Sequence, residues 1–113
     1  MNSPPIATVP LFCYGTLQDK PVQIANFGRE LEGRADALPG YARRMVTVVG
    51  SGGEATYPNA VPSGNSGDVV LGTVYEITEA ELAVADKYEE DADYRRIWVA
   101  LRSGAQAWVY LRQ

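Results

Sequence analysis

The chain has 113 residues, a size typical of one small domain, and its 46% hydrophobic and 21% charged residues are those of a folded protein. Its 10 Lys and Arg residues against 14 Asp and Glu residues give a net charge of −4, which excludes the basic surface of a nucleic-acid-binding protein. No apolar run is long enough to span a membrane, and the N-terminus lacks a secretory signal. We therefore expect one domain over residues 1–113, with a flexible tail at residues 1–6.

The absence of histidine restricts the chemistry open to this chain. Without histidine there is no Ser-His-Asp triad, no Cys-His dyad and no His-ligated metal site. The single cysteine, Cys13, cannot form an intrachain disulfide, and a chain that needs no disulfide fits a reducing cytoplasm. With no histidine to activate it, we interpret Cys13 as a small buried hydrophobic residue. An enzyme of this composition must use Asp, Glu, Lys or Tyr for proton transfer, and we expect neither a metal nor an organic cofactor.

The first half of the chain predicts short strands between turns. We expect a strand over Ala7–Tyr14 that ends at Gly15, where Pro10 indicates an edge position or a later start. The segments that follow are a helical turn over 21–28, a weakly alternating stretch over 31–38 with a turn at 39–40, strands over 41–49 and 57–61, and flexible breaks over 50–53 and 63–67.

The second half carries stronger signals. Residues 68–77 predict a strand covered on both faces. Thr78 and Glu81 are spaced as a capping box for a helix that ends near Tyr88 or Glu89. Two further strands are predicted over 94–102 and 105–112.

The last two strands are joined by Ser103-Gly104, a plausible hairpin turn. Trp98 and Trp108 then face each other, and we interpret them as cross-strand packing in preference to a cavity wall or an interface. Strands joined by hairpins with few helices predict an α+β fold with a largely antiparallel, barrel-like sheet.

Two segments are candidates for chemistry. The first, Phe12-Cys13-Tyr14-Gly15-Thr16-Leu17, places a glycine directly after an apolar strand, where backbone N–H groups can bind an anion. The second, residues 86–96, crowds acidic residues at a helix end, where they oppose the helix dipole. A carboxylate held there among other acids or apolar groups would have the raised pKa of a general base. Taken alone, the first segment is better explained as an ordinary turn and the second as a solvated acidic loop balanced by Arg95 and Arg96.

Together these segments resemble the γ-glutamylcyclotransferase-like (AIG2-like) family, in its short bacterial form. The resemblance combines FCYGTLQ, the Asp-x-Tyr-Glu pattern at residues 86–89 and Tyr-Arg-Arg at residues 94–96. It extends over most of the chain, through LEGRA at 31–35, LPGY at 38–41, YPNAV at 57–61 and VLGTVYEI at 70–77.

The resemblance implies a small mixed, mostly antiparallel β-barrel of five to six strands, with one main helix, one short helix and a cavity at one end. It implies that Glu89 is the catalytic acid/base, that Tyr14, Gly15, Thr16 and Leu17 bind the substrate, and that Tyr94 positions the substrate or Glu89. The implied substrate is a small γ-glutamyl amine or peptide. Its α-amine attacks its own γ-carbonyl and releases 5-oxoproline.

Two positions depart from the family pattern. Glu90 stands where many members have glycine after the catalytic glutamate, and Ala85 stands where leucine is common. Composition alone does not separate Glu89 from Glu90, and only the register of the motif favours Glu89. Two alternatives to the cyclotransferase are a non-catalytic module that binds a small ligand in the same fold and an enzyme of related amide chemistry. The sequence leaves the substrate's leaving group and the oligomeric state open.

Overall fold

The computed structural model describes residues 7–50 and 52–112, so the predicted tail at residues 1–6 lies outside the described residues. Its elements in chain order are β1 (Thr8–Cys13), a 3₁₀ turn (Thr16–Gln18), α1 (Lys20–Phe27), β2 (Gly33–Pro39), β3 (Tyr41–Gly50), β4 (Gly53–Pro62), β5 (Val69–Thr78), α2 (Glu79–Glu90), β6 (Tyr94–Ala100) and β7 (Gln106–Arg112). The fold is α+β, as predicted, with a mostly antiparallel sheet. Neither helix of the described part is long and apolar enough to cross a membrane.

Five strands form the main sheet in the order β2-β5-β1-β7-β6. All neighbours are antiparallel except the central pair β1 and β7, which is parallel. In that pair only Leu11 and Phe12 of β1 have partners on β7, whereas Pro10 pairs with β5 alone. A proline is therefore tolerated in a central strand because it precedes the segment that is paired on both sides. The prediction that Pro10 marks an edge portion of the strand is confirmed, because the residues up to Pro10 pair on one side only, whereas the alternative of a strand that starts after Pro10 is wrong.

The sheet is not closed into the predicted barrel. In the described residues β2 and β6 are its edges, and β3 pairs only with β4, as a separate two-stranded hairpin. Gly40, the one residue between β2 and β3, has a φ of +79° and turns the chain out of the main sheet. β4 also contains Pro58 and Pro62, which have no N–H group to donate to a further ladder. Seven strands thus divide into a sheet of five and a hairpin of two.

The hairpin is longer than the sequence indicated. Its pairing runs from Tyr41 with Pro62 to Gly50 with Gly53. The predicted break over 50–53 therefore begins and ends with the last residue pair of the hairpin, and the strand predicted over 57–61 extends over Gly53–Pro62. The alternating hairpin pattern is hidden in the sequence because β4 begins in a glycine-rich stretch and contains two prolines.

The two faces of the main sheet pack against different elements. Leu11 and Cys13 of β1 belong to a core cluster that includes Leu82 and Ala85 of α2. Phe12 belongs to a second cluster on the opposite face, and the hairpin contributes to that cluster. The prediction that β5 is covered on both faces is confirmed for most of its length. The exceptions are Leu71, which lies near one end of the strand and is 74% exposed, and Glu76, which is also exposed.

Helix α2 begins with the predicted capping box. The Glu81 backbone N–H donates to Thr78 Oγ1 at 3.1 Å, and the Thr78 N–H donates to Glu81 Oε1 at 2.9 Å. Arg29 adds two hydrogen bonds to the Glu81 carboxylate at 2.8 Å, which tie the loop after α1 to the start of α2. The helix therefore has a defined start and hence a defined rotation, and that rotation decides which of its acidic residues face inward.

Candidate active site

One cavity of about 250 Å³ lies where the end of β1, the end of α2 and strand β4 meet. All six residues that the sequence analysis named for the site line it: Tyr14, Gly15, Thr16, Leu17, Glu89 and Tyr94. The remaining lining residues are Phe12, Cys13, Tyr57, Pro58, Tyr88, Asp91, Ala92 and Tyr110. Residues far apart in the sequence thus surround one cavity that is open to solvent and large enough for a small molecule.

The loop after β1 supplies backbone donors. It enters the 3₁₀ turn at Gly15, and the N–H groups of Gly15, Thr16 and Leu17 make no hydrogen bond within the described part of the chain. A Cβ atom on Gly15 would lie 3.1 Å from Cγ of Pro58, so a side chain at this position would press against the opposite wall. Free N–H groups at a tight turn beside a cavity can bind a carboxylate or an oxyanion.

Glu89 is the acidic group of the cavity with a strongly shifted pKa. It lies at the C-terminal end of α2 and is largely buried, and its carboxyl has no hydrogen bond or ion pair among the described residues. Burial alone raises the pKa of its carboxyl from 4.5 to about 7. A carboxyl with this pKa exchanges a proton readily near neutral pH, as a general acid/base requires.

Glu90, the neighbouring acid, faces elsewhere. It is exposed and does not line this cavity, because consecutive residues of a helix point about 100° apart. Its side chain lines a shallow groove outside the cavity, on the other side of Tyr94 and Tyr110. The departure from glycine at this position therefore adds no second carboxylate to the cavity.

The hydroxyl groups of Tyr14 and Tyr94 bond to the protein backbone. Tyr14 donates to the carbonyl of Tyr110 at 2.6 Å and accepts from the N–H of Ala60 at 3.2 Å. Tyr94 donates to the carbonyl of Pro58. Both side chains thus hold β4 against the main sheet, and what they offer the cavity is chiefly their aromatic rings.

The Asp-x-Tyr-Glu motif has a separate contact for each of its three defined residues. Tyr88 shares a hydrogen bond of 2.7 Å with the Thr16 hydroxyl, which links α2 to the loop after β1. Asp86 accepts from the Tyr110 hydroxyl at 2.7 Å and from Arg96 Nε at 2.8 Å. Glu89 is left facing the cavity. The motif therefore orients the two walls on either side of its glutamate.

The sequence analysis did not identify Tyr110, Tyr57 or Pro58 as site residues. Tyr110 is on the face of β7 opposite Ala107 and Val109. The alternation of side chains along β7 could therefore have indicated that Tyr110 faces away from these two residues. Tyr57 and Pro58 lie in a segment that contributed to the family resemblance, but only their distance from β1 in space shows that they form a wall.

Trp98 and Trp108 pack against each other, as predicted, with ring centroids 5.0 Å apart in an edge-to-face arrangement. Neither lines the cavity. Arg96 lies over the Trp108 ring at 4.2 Å while it pairs with Asp86, so its expected role in balancing acidic residues is confirmed. Arg95 donates to the Tyr94 carbonyl.

The cavity contains no cationic side chain. None of the described residues that line it is Lys, Arg or His, so within the described part of the chain no cationic side chain forms its wall. Within residues 7–50 and 52–112, no three His, Cys, Asp or Glu side chains gather as a metal-binding group would require. Burial raises the pKa of the Cys13 thiol strongly, so this group stays protonated and is a poor nucleophile.

A known protein family matches nearly the whole chain. The family model described as "Gamma-glutamyl cyclotransferase, AIG2-like" matches residues 11–113. The chain belongs to this family. The resemblance inferred from the glycine loop and the Asp-x-Tyr-Glu motif is thereby confirmed.

Several solved structures share the fold of this chain. A solution structure from Arabidopsis thaliana has a TM-score of 0.75 and 25% identity, over 99% of this chain and 73% of its own. A structure described as a γ-glutamyl cyclotransferase has a TM-score of 0.73 and 15% identity, over 94% and 67%. An AIG2-like protein from Mus musculus has a TM-score of 0.56 and 21% identity, over 93% and 77%. A search of curated proteins gave no match.

Proposed function

We propose that this protein is a γ-glutamyl cyclotransferase, and that residues 1–113 act as one domain. The observation that carries the proposal is the Glu89 carboxyl. It is largely buried, has a pKa of about 7 and no partner among the described residues, and lines the same cavity as the free N–H groups of residues 15–17. Family membership supports the same class of reaction.

The reaction in this proposal is an intramolecular transfer. The α-ammonium of a γ-glutamyl compound loses a proton to the Glu89 carboxylate, and the free amine attacks its own γ-carbonyl carbon. The new C–N bond closes the five-membered ring, and negative charge develops on the carbonyl oxygen. Donors from the loop over residues 15–17 stabilise that charge.

The second half of the reaction returns the proton. The bond from the γ-carbon to the leaving nitrogen breaks, and Glu89 gives its proton to that nitrogen, so 5-oxoproline and a free amine are the products. Because nucleophile and electrophile belong to one molecule, the cavity lowers the barrier mainly by holding the folded conformer. Neither a metal nor a redox group takes part in these steps.

The test is turnover of a panel of γ-glutamyl amines and peptides, with 5-oxoproline measured by mass spectrometry. The Glu89→Gln variant should fold and should lose at least about 100-fold in turnover, the usual worth of a positioned general base. Glutamine keeps the size and the carbonyl of the side chain but cannot accept the proton.

The matched control is Glu90→Gln. It removes one negative charge from the adjacent position, but its side chain is exposed and outside the cavity. We expect it to retain turnover within about threefold, as changes at exposed surface positions usually do. A wild-type protein that releases 5-oxoproline from no γ-glutamyl compound would overturn the proposal. An inactive Glu90→Gln beside an active Glu89→Gln would overturn the assignment of the base.

A further inference from the structure

The hydroxyl proton of Tyr110 is already used in a hydrogen bond within the protein. The side chain is 5% exposed, lines the cavity, and donates its hydroxyl proton to Asp86 Oδ1 at 2.7 Å. Asp86 is itself fixed by Arg96 Nε at 2.8 Å, and Arg96 is held over the Trp108 ring. The acceptor of the Tyr110 proton is therefore a charged, oriented carboxylate outside the cavity.

The Tyr110 hydroxyl lies in the field of two carboxylates of α2 and bonds to one of them, Asp86. Asp86 and Glu89 are three residues apart and so lie on the same side of the helix. The Glu89 charge is near enough to contribute to the raised pKa of Tyr110, yet the proton is bonded to Asp86. Glu89 therefore receives no hydrogen bond from this tyrosine, which leaves its carboxylate free to accept a proton.

The same orientation is found at the two other tyrosines whose pKa the Glu89 charge helps to raise. Tyr14 donates to the Tyr110 carbonyl, and Tyr94 donates to the Pro58 carbonyl. A tyrosine hydroxyl has one proton, and its oxygen can still accept. With its proton committed to Asp86, the Tyr110 hydroxyl has only oxygen lone pairs to offer a ligand, and Glu89 in the same cavity adds a carboxylate. Such a wall suits a group with several N–H donors and a positive charge.

We propose that Tyr110 is a binding residue for the substrate's α-ammonium group, which donates a hydrogen bond to the Tyr110 hydroxyl oxygen beside Glu89, and that Asp86 is the positioning residue that keeps the hydroxyl proton turned away. This inference rests on the proposed function for the identity of the ligand. It assigns the ammonium to this wall and leaves the loop at residues 15–17 for anionic oxygens.

The test measures binding without turnover. L-Methionine sulfone has the α-ammonium and α-carboxylate of a γ-glutamyl compound but a sulfone in place of the γ-carbonyl, so it cannot cyclise. Its partner, 4-(methylsulfonyl)butanoate, lacks only the ammonium. Titration calorimetry or ligand-detected NMR gives the ratio of the two dissociation constants, which is the preference for the ammonium.

We expect wild-type protein to prefer L-methionine sulfone and Tyr110→Phe to lose about 10-fold of that preference, the usual worth of a hydrogen bond to a charged group. Affinity for the ligand without the ammonium should not change. A merely structural role would weaken both ligands alike. Tyr41→Phe is the matched control, because Tyr41 packs against the opposite core cluster and does not line the cavity.

Asp86 is tested by two variants. Asp86→Asn keeps a carbonyl oxygen that can accept the Tyr110 proton and should retain the preference within about threefold, whereas Asp86→Ala should lose it as Tyr110→Phe does. Equal preference in wild type and Tyr110→Phe, or no preference in wild type, would overturn the inference. If the ammonium preference behaves as expected but no γ-glutamyl compound yields 5-oxoproline, the proposed reaction fails while the ammonium site stands.

Discussion

Glu89 is the residue whose environment most changes its chemistry. A carboxylate in the cavity loses hydration and gains no hydrogen bond from the described residues, so its charged form is disfavoured in the folded state. Its pKa is about 7 when folded and 4.5 in water. Between these values the folded state binds a proton that the unfolded state has released. The group therefore lowers stability progressively as the pH rises from about 4.5 to about 7, and the loss is complete above pH 7.

Replacing Glu89 by glutamine should remove this pH-dependent penalty. The stability of Glu89→Gln relative to wild type should therefore increase with pH. We expect the difference in unfolding free energy to be about 2 kcal/mol larger at pH 8 than at pH 5. Urea unfolding of both proteins at the two pH values measures the difference. Glu90→Gln provides the comparison, since Glu90 is exposed and should show no such gain. A stability difference between Glu89→Gln and wild type that is the same at both pH values would contradict the burial of this charge.

At the scale of elements, the close approach of β5 to β1 limits what can stand at Gly72. A Cβ atom on Gly72 would lie 2.4 Å from the carbonyl oxygen of Cys13 and 2.7 Å from the Phe12 ring. The backbone oxygen cannot move without shifting β1, the strand that leads into the cavity loop. This glycine is therefore needed for the spacing of two strands, and no positive φ is involved.

Gly72→Ala should destabilise the protein by about 2–3 kcal/mol, because the added methyl group overpacks the sheet. Gly50→Ala is the matched control: a Cβ there would meet nothing within 4 Å, and the position is also in a strand. Thermal or urea unfolding of the two variants tests the comparison. Equal stability of the two variants would show that β1 and β5 can separate at little cost.

At the scale of the whole molecule, the cavity exists because the hairpin is attached to the main sheet along three consecutive residues. The Pro58 carbonyl accepts from Tyr94, and the Ala60 N–H donates to Tyr14. Between them the Asn59 side chain donates to the Arg112 carbonyl at 2.7 Å and accepts from the Arg112 N–H at 2.9 Å. A side chain thus takes the place of the missing ladder between β4 and β7, and it fixes the wall that Tyr57 and Pro58 form.

Asn59→Ala should cost about 2–3 kcal/mol of stability, since it leaves two backbone groups of Arg112 without their partner. It should also lower turnover, because the wall of the cavity would be free to move away from Glu89. Asn26→Ala is the control, as the Asn26 side chain bonds only to the Val22 carbonyl within α1. Unfolding and 5-oxoproline release are measured on both variants. Full stability in Asn59→Ala would mean that the tyrosine contacts alone hold the hairpin.

Local patterns in the sequence determined much of the fold. The capping box at Thr78, the glycine that ends α1 and the alternation of the last two strands all depend on neighbours in the chain, and the structure has each of them. The family motif also identified a glutamate that the structure buries, while it leaves Glu90 exposed. Helix periodicity explains this success, because the register of α2 follows from its cap.

Contacts between distant segments were decided only by the tertiary structure. The sheet stays open and the hairpin stands apart because Gly40 turns the chain and Asn59 replaces a ladder. The sequence predicted a turn at residues 39–40, but neither the direction in which it takes the chain nor the contacts of Asn59 have a local signature. The raised pKa of Glu89 and the orientation of the Tyr110 proton likewise depend on groups from several elements. Burial and hydrogen-bond direction are properties of a packed environment, so they appear only once β1, β4, β7 and α2 have come together around the cavity.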